Sequence, residues 1–431
     1  MATRTEQIAA ARGAATAARL AGQGLPAGGA WITAARRAAL GRVQALGLPD
    51  RRDEYWKYTD PTPLIAPEVP SAEAEAGDTL FAAHDAVKLV FVDGRFDSEA
   101  SDDPALAGLE IDLLGDAATR DIHWAREVYG VLEARGQSPV PRTLAALNTA
   151  MARDGVLIRA TGKADRPVSL IHRHTQPASD AVLHHCVKLE PGAEVTLLEQ
   201  GPAGARVNTV LEVDVADGAR FHHVRAQGPE QGRRIVTHVF ARLGEGSVFK
   251  SFTATVNGRL TRNECVLELL GRDGVAHVAG AAVGGADVHQ DDTVFITHAG
   301  EACESRQVYK KVLRGGARGV FQGKILVHRE AQLTDGYQIS QSLLLDEDSQ
   351  FLAKPELEIY ADDVKCSHGS TSGAIDPVAL FYLRSRGVPE AEAQALLVLA
   401  FLAEALAEVE DDRLAEDLRD WFDARLSQER V

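Results

Sequence analysis

The feature that most constrains this chain is a repeat in its middle. V-K-L-E-P-G-A-E-V-T-L-L (187–198), V-D-V-A-D-G-A-R-F-H-H-V (213–224), A-R-L-G-E-G-S-V-F-K-S-F (241–252) and L-E-L-L-G-R-D-G-V-A-H-V (267–278) share one plan. Each is a short β-prone run, a turn ending in glycine, and a second run. The turn glycines, Gly192, Gly218, Gly246 and Gly274, stand 26, 28 and 28 residues apart. A unit this short buries its apolar face only against its neighbours, so it is stable only when stacked. A parallel β-helix and an antiparallel strand array both stack short strands, and the period alone does not choose between them. The texture continues less regularly through Val308 to Val327 and Ser342 to Tyr360, which sets the β region at residues 156–373.

The ends read differently. Residues 1–48 carry apolar side chains at helical intervals (Trp31, Ala34, Ala35, Ala38, Val43, Leu46), interrupted by Gly24 to Gly29 with Pro26. An aromatic cluster, Tyr55, Trp56 and Tyr58, precedes a proline-punctuated loop and reads as an anchor of that loop to the core. V-K-L-V-F-V-D-G-R-F (87–96) predicts a hairpin on an Asp-Gly turn. Helical patterns return at His123 to Ala134 and Leu144 to Arg153, and after the β region at Pro377 to Arg386, Pro389 to Glu410 and Asp411 to Leu426. The expectation is therefore mainly β with helical ends: a mostly helical N-terminal domain (1–155), the β core (156–373) and a C-terminal helical domain (374–431).

Composition excludes several classes of function. With a net charge of −16 and no basic cluster interleaved with aromatics, the chain has no footprint for nucleic acid. Cys186, Cys265, Cys303 and Cys366 are widely spaced with no C-x-x-C, which reads as reduced thiols rather than a disulfide framework or zinc ribbon. The longest apolar run, Ala395 to Ala403, has nine residues, about half of what a membrane span needs. A soluble, cytoplasmic chain without export signal is expected.

Chemistry concentrates at the end of the β region. Leu357, Ile359 and Val364 alternate into Cys366 and His368. A strand points positions i and i+2 to one face, so a thiol and an imidazole stand side by side. Such a pair suits iron, zinc or copper(I) and needs further ligands from elsewhere to close a site. On spacing alone, a strand-end cysteine beside a surface histidine accounts for it at least as well. No phosphate-binding G-x-x-x-x-G-K-[ST] exists: Gly319 to Ile325 has the wrong spacing and an isoleucine in place of the hydroxyl. Nor is there H-E-x-x-H, G-x-S-x-G or a usable G-x-G-x-x-G, so no catalytic site is expected and nucleotide hydrolysis falls to a partner. His172 and His174 form an H-x-H that would open a cupin-like metal site, the alternative reading, but the glutamate and distant histidine of that pattern are not found. These histidines, with His184, His185, His222 and His223, read as structural or solvent-facing.

The text around the pair is longer than a chance motif. D-D-V-K-C-S-H-G (362–369), followed by D-P-V-A-L-F-Y-L-R-S-R-G (376–387), closely resembles the C-terminal signature of the SufB/SufD family of iron–sulfur cluster assembly scaffolds. The resemblance extends to G-V-F-Q-G-K-I-L-V (319–327), T-D-G-Y-Q-I-S-Q (334–341) and E-Y-W-K-Y-T (54–59). It implies a right-handed parallel β-helix and a non-catalytic subunit of a SufBCD complex. It further implies pairing with a SufB-like paralogue at the open sheet edge and docking of a SufC-like ABC ATPase on the C-terminal helices. Cys366 and His368 would then serve as ligands to a nascent iron–sulfur cluster at the subunit boundary, and a homodimer of the isolated chain is one arrangement this permits. Gly369 stands where SufB-type members carry glutamate, and W-K-Y-T at 56–59 matches SufD-type members.

Overall fold

A computed structural model describes residues 3–74 and 80–428. Successive strands from Val156–Ala160 to Val364–Gly373 alternate between a nine-stranded and a ten-stranded sheet, and from Asp180–Leu189 onward each pairs in parallel with the strand two before it. The result is a parallel β-solenoid, which resolves the choice that the period left open. Register is constant from coil to coil, so like positions stack in columns: Leu211, Val239, Cys265 and Val294 form one. These fill the interior with Phe221, Phe249 and Leu267. Full burial of each such side chain contributes about 1.5–3 kcal/mol.

The turn that generated the repeat is a ladder of its own. Gly192, Gly218 and Gly246 take left-handed φ of 74°, 67° and 59°, where glycine carries no steric penalty. At the fourth turn Asp273 rather than Gly274 takes this conformation, and Ala302 and Leu333 follow with φ of 58° and 62°. Each donates its N–H to a carbonyl of the next coil, from Gly192 to Asp217 (2.9 Å) through to Ala302 to Gln332 (2.8 Å). The stacked bond holds non-glycine residues where their own preference would not.

Both sheets are covered on their outer faces, which is why the strands read as near-continuous apolar runs. N-terminal residues Trp31, Tyr55 and Tyr129 pack on Val210, Phe240, Val266 and Phe295 of the nine-stranded sheet. The aromatic cluster is an anchor, as its composition suggested: the Arg262 guanidinium lies 4.0 Å from the Trp56 ring, and Thr59 donates to Asp291. The helices Arg4–Leu20 and Ala30–Leu46 flank the predicted break. The Asp-Gly hairpin forms with Asp93 and Gly94 both left-handed, and its first strand, Val87–Val92, joins the ten-stranded sheet beside Val168–Arg173. The pattern at 123–134 is not one helix. It splits into Trp124–Glu127 and Val131–Arg135 because Gly130 turns left-handed (φ 69°) and donates its N–H to Glu212.

On the other side, Val398, Leu402 and Leu406 of the Glu390–Leu406 helix, with Trp421 and Phe422 of Asp412–Gln428, pack on Val224, Phe252, Ala279 and Val308. Acidic residues of this layer meet a row of basic side chains on the sheet. Glu404 receives Lys310, and Glu408 receives His277 (3.1 Å) and Arg306 (3.2 Å). Glu410 receives His222 (2.9 Å) and Lys250 (3.4 Å). The helical layer is thus fixed by an apolar seam with an ionic border.

Candidate functional site

One end of the solenoid is uncovered. Its last coil, Gln350–Ile359 and Val364–Gly373, is half-buried or exposed throughout, and both strands are sheet edges with no further strand beside them among the described residues. Cys366 and His368 lie on Val364–Gly373, on the same face as Gly336 and Gln338 of the strand beneath. That face points into the solenoid. Cys366 packs against the Ile325, Val327 and Ala331 cluster, and a Cβ on Gly336 would stand 3.2 Å from its Sγ and 3.5 Å from Ile325. The thiol fills the space that the glycine leaves. Burial raises the Cys366 pKa, so without a metal the group stays a thiol rather than a reactive thiolate. His368 is exposed. The S-T-S that follows continues the same face: Ser370 and Ser372 meet Ser340 and Ser342 at 3.1 and 3.0 Å. The open end thus presents a thiol, an imidazole and hydroxyls along one strand.

The histidines of the H-x-H and the other three cysteines are held inside the molecule. His172 is buried against Phe91, and burial pushes it down to about 4; the His174 ring lies 2.8 Å from the Gln176 carbonyl. No third donor joins them among the described residues, and the fold is not a cupin barrel, so the alternative enzyme site is not assembled. Cys265 is buried in the core and Cys303 at a turn, where its Sγ faces the Gly271 carbonyl at 3.1 Å.

His184, Cys186 and Glu212 do converge, with donor atoms within 4.8 Å of one another, all buried. The carboxylate is nevertheless fully engaged. It accepts the N–H groups of Gly130, Leu132 (2.7 Å) and Glu133 (2.9 Å), and faces His184 Nε2 at 2.7 Å. His184 Nδ1 faces Asn148 Oδ1 at 3.0 Å. Burial raises the Cys186 thiol well above its usual value. The trio therefore works as a cap that ties the Gly130 turn to the sheet, with no free lone pair for a cation on the carboxylate or imidazole.

The helix Pro377–Ser385 buries none of its residues; Val378, Phe381 and Tyr382 are 72%, 73% and 54% exposed. Leu396 of the following helix is exposed as well. Sequence reasoning pointed to these residues but missed Glu404, Glu408 and Glu410, whose partners lie more than ninety positions upstream. No described helix is long and apolar enough to cross a membrane.

Known proteins resemble this chain over most of its length. The family model described as SUF system FeS cluster assembly, SufBD core domain, matches residues 172–401. The chain is 31% identical over 394 residues to the iron–sulfur cluster assembly protein SufD of Escherichia coli, covering 86% of this chain and 88% of that protein. It is 27% identical over 406 residues to an iron–sulfur cluster assembly SufBD family protein of Synechocystis, covering 87% and 86% of the two. A third relative, SufD of Bacillus subtilis, is 27% identical over 276 residues, covering 62% and 63%. The chain belongs to the SufBD family of iron–sulfur cluster assembly proteins.

Proposed function

We propose that this chain is a non-catalytic scaffold subunit that lends Cys366 and His368 to a nascent iron–sulfur cluster at a boundary with a second subunit. The observation that carries the reading is the placement of a thiol and an imidazole on the outermost strand of an uncapped solenoid. Two ligands leave a four-coordinate iron incomplete, and the open edges beside them are where another chain would add both strands and ligands. The partner that fits is a SufB-like paralogue with a matching open end; in its absence, two copies of this chain would pair.

The apolar patch on Pro377–Ser385 supports docking of a SufC-like ABC ATPase, because this chain has no nucleotide motif of its own. Association of two ATPase subunits would pull on the C-terminal helices, and through the ionic border on the ten-stranded sheet that ends at Cys366. A nucleotide-driven load on a two-state interface is a recognised way to open and close a site. The reading includes the division into 1–155, 156–373 and 374–431 and a cytoplasmic setting. To test it, the chain is co-expressed with SufB- and SufC-like partners, and iron and acid-labile sulfide are measured in the purified complex. His368→Ala should leave the complex intact and lower both. Wild-type rates of cluster assembly in that variant would refute the ligand role.

A further inference from the structure

The two motifs at 319–327 and 334–341 form the layer directly beneath Cys366 and His368. In the column that ends at His368, Val278, Gln307, Gln338 and His368 stand in register on successive coils. Gln307 and Gln338 are fully buried, an unusual place for two amides. They bond to each other, Gln338 Nε2 donating to Gln307 Oε1 at 2.8 Å. That bond leaves the Gln338 carbonyl oxygen without a partner among the described residues. A buried unpartnered acceptor costs about 1–3 kcal/mol, so its retention calls for an explanation.

The same bond leaves the Gln307 Nε2 below it unpartnered, so no donor serves the oxygen from that side. Gly323 faces Gln338 across the interior, and a Cβ there would collide with the amide, so the glycine makes the room in which Gln338 lies. Pro355, above Gly323 on the last coil, offers no side-chain donor. The next side chain up the column is His368, one strand spacing away, about 4.8 Å. Gly336 does the same for the neighbouring column, giving Cys366 Sγ its place. Metal-binding histidines commonly donate their second ring N–H to a carbonyl, which fixes the tautomer and leaves the other nitrogen free for the metal.

We propose that Gln338 is a positioning residue for His368: its free carbonyl oxygen accepts one ring N–H of His368 and so directs the other nitrogen toward the iron. The inference rests on the ligand role proposed for His368. The test is nitrogen NMR of the full-length chain with labelled histidine, the His368 signals being assigned by their loss in His368→Ala. Wild type should show one predominant neutral tautomer. Gln338→Leu should shift His368 to a mixture, and Gln338→Glu, which keeps an acceptor oxygen, should restore the single form; Gln338→Met serves if leucine does not fold. Unchanged signals from the remaining histidines establish that the fold is intact. An identical tautomer ratio in wild type and the folded Gln338→Leu or Gln338→Met variant overturns the proposal. A shifted ratio together with wild-type cluster assembly by His368→Ala would instead leave the positioning standing and refute the ligand role.

Discussion

Replacing Glu212 by alanine separates a structural cap from a metal centre. In the native chain the carboxylate faces four donors, three backbone N–H groups and His184 Nε2, with its side chain inaccessible to solvent. Alanine leaves those donors without an acceptor; an unsatisfied buried polar group costs about 1–3 kcal/mol, so orphaning several of them costs about 3–5 kcal/mol. That is a large fraction of the roughly 5–15 kcal/mol that holds a typical protein folded. Because every 1.4 kcal/mol is tenfold, the amides of Gly130, Leu132 and Glu133 should exchange with deuterium about two to three orders of magnitude faster. Hydrogen exchange followed by mass spectrometry reads this on the peptide covering 129–136, with urea unfolding as the global measure. Glu212→Gln, which keeps one acceptor oxygen, should lie between. Unchanged exchange in Glu212→Ala would refute the capping argument. Zinc that stabilises the wild type but not this variant would show that the trio binds metal after all.

Acidification should weaken the fold before the carboxylates titrate. Burial holds His172, His289 and His298 down to about 4 and His185 to about 3, whereas unfolded histidine titrates near 6.5. The unfolded chain therefore takes up more protons below pH 6.5, and stability falls from there toward pH 4, on the order of 1–2 kcal/mol per histidine at pH 5; a urea midpoint independent of pH between 7 and 5 would contradict this. Gly336→Ala should push the Cys366 thiol outward and speed its alkylation by iodoacetamide several-fold, while Cys186, Cys265 and Cys303 stay protected; mass spectrometry of the labelled peptides decides. Phe381→Asp should abolish capture of the ATPase partner in pull-downs without moving the thermal midpoint, since that side chain supports nothing within the chain.

What the residues determined unaided was local and periodic. The 26–28-residue spacing of Gly192, Gly218, Gly246 and Gly274 required stacked short units, and Asp93-Gly94 required a hairpin, because left-handed turns and alternation are properties of a few neighbouring residues. Cys366 and His368 were legible as a same-face pair for the same reason. Tertiary structure decided what depends on other coils. The stacked N–H bonds impose left-handed turns on Ala302 and Leu333, which carry no glycine signal. Gly130 breaks a helical pattern because Glu212, far along the chain, receives its N–H. Gln338 comes to lie beneath His368 only when parallel strands thirty residues apart align in register. Neighbour chemistry writes the period into the sequence; which side chains the period brings together is settled only when the coils stack.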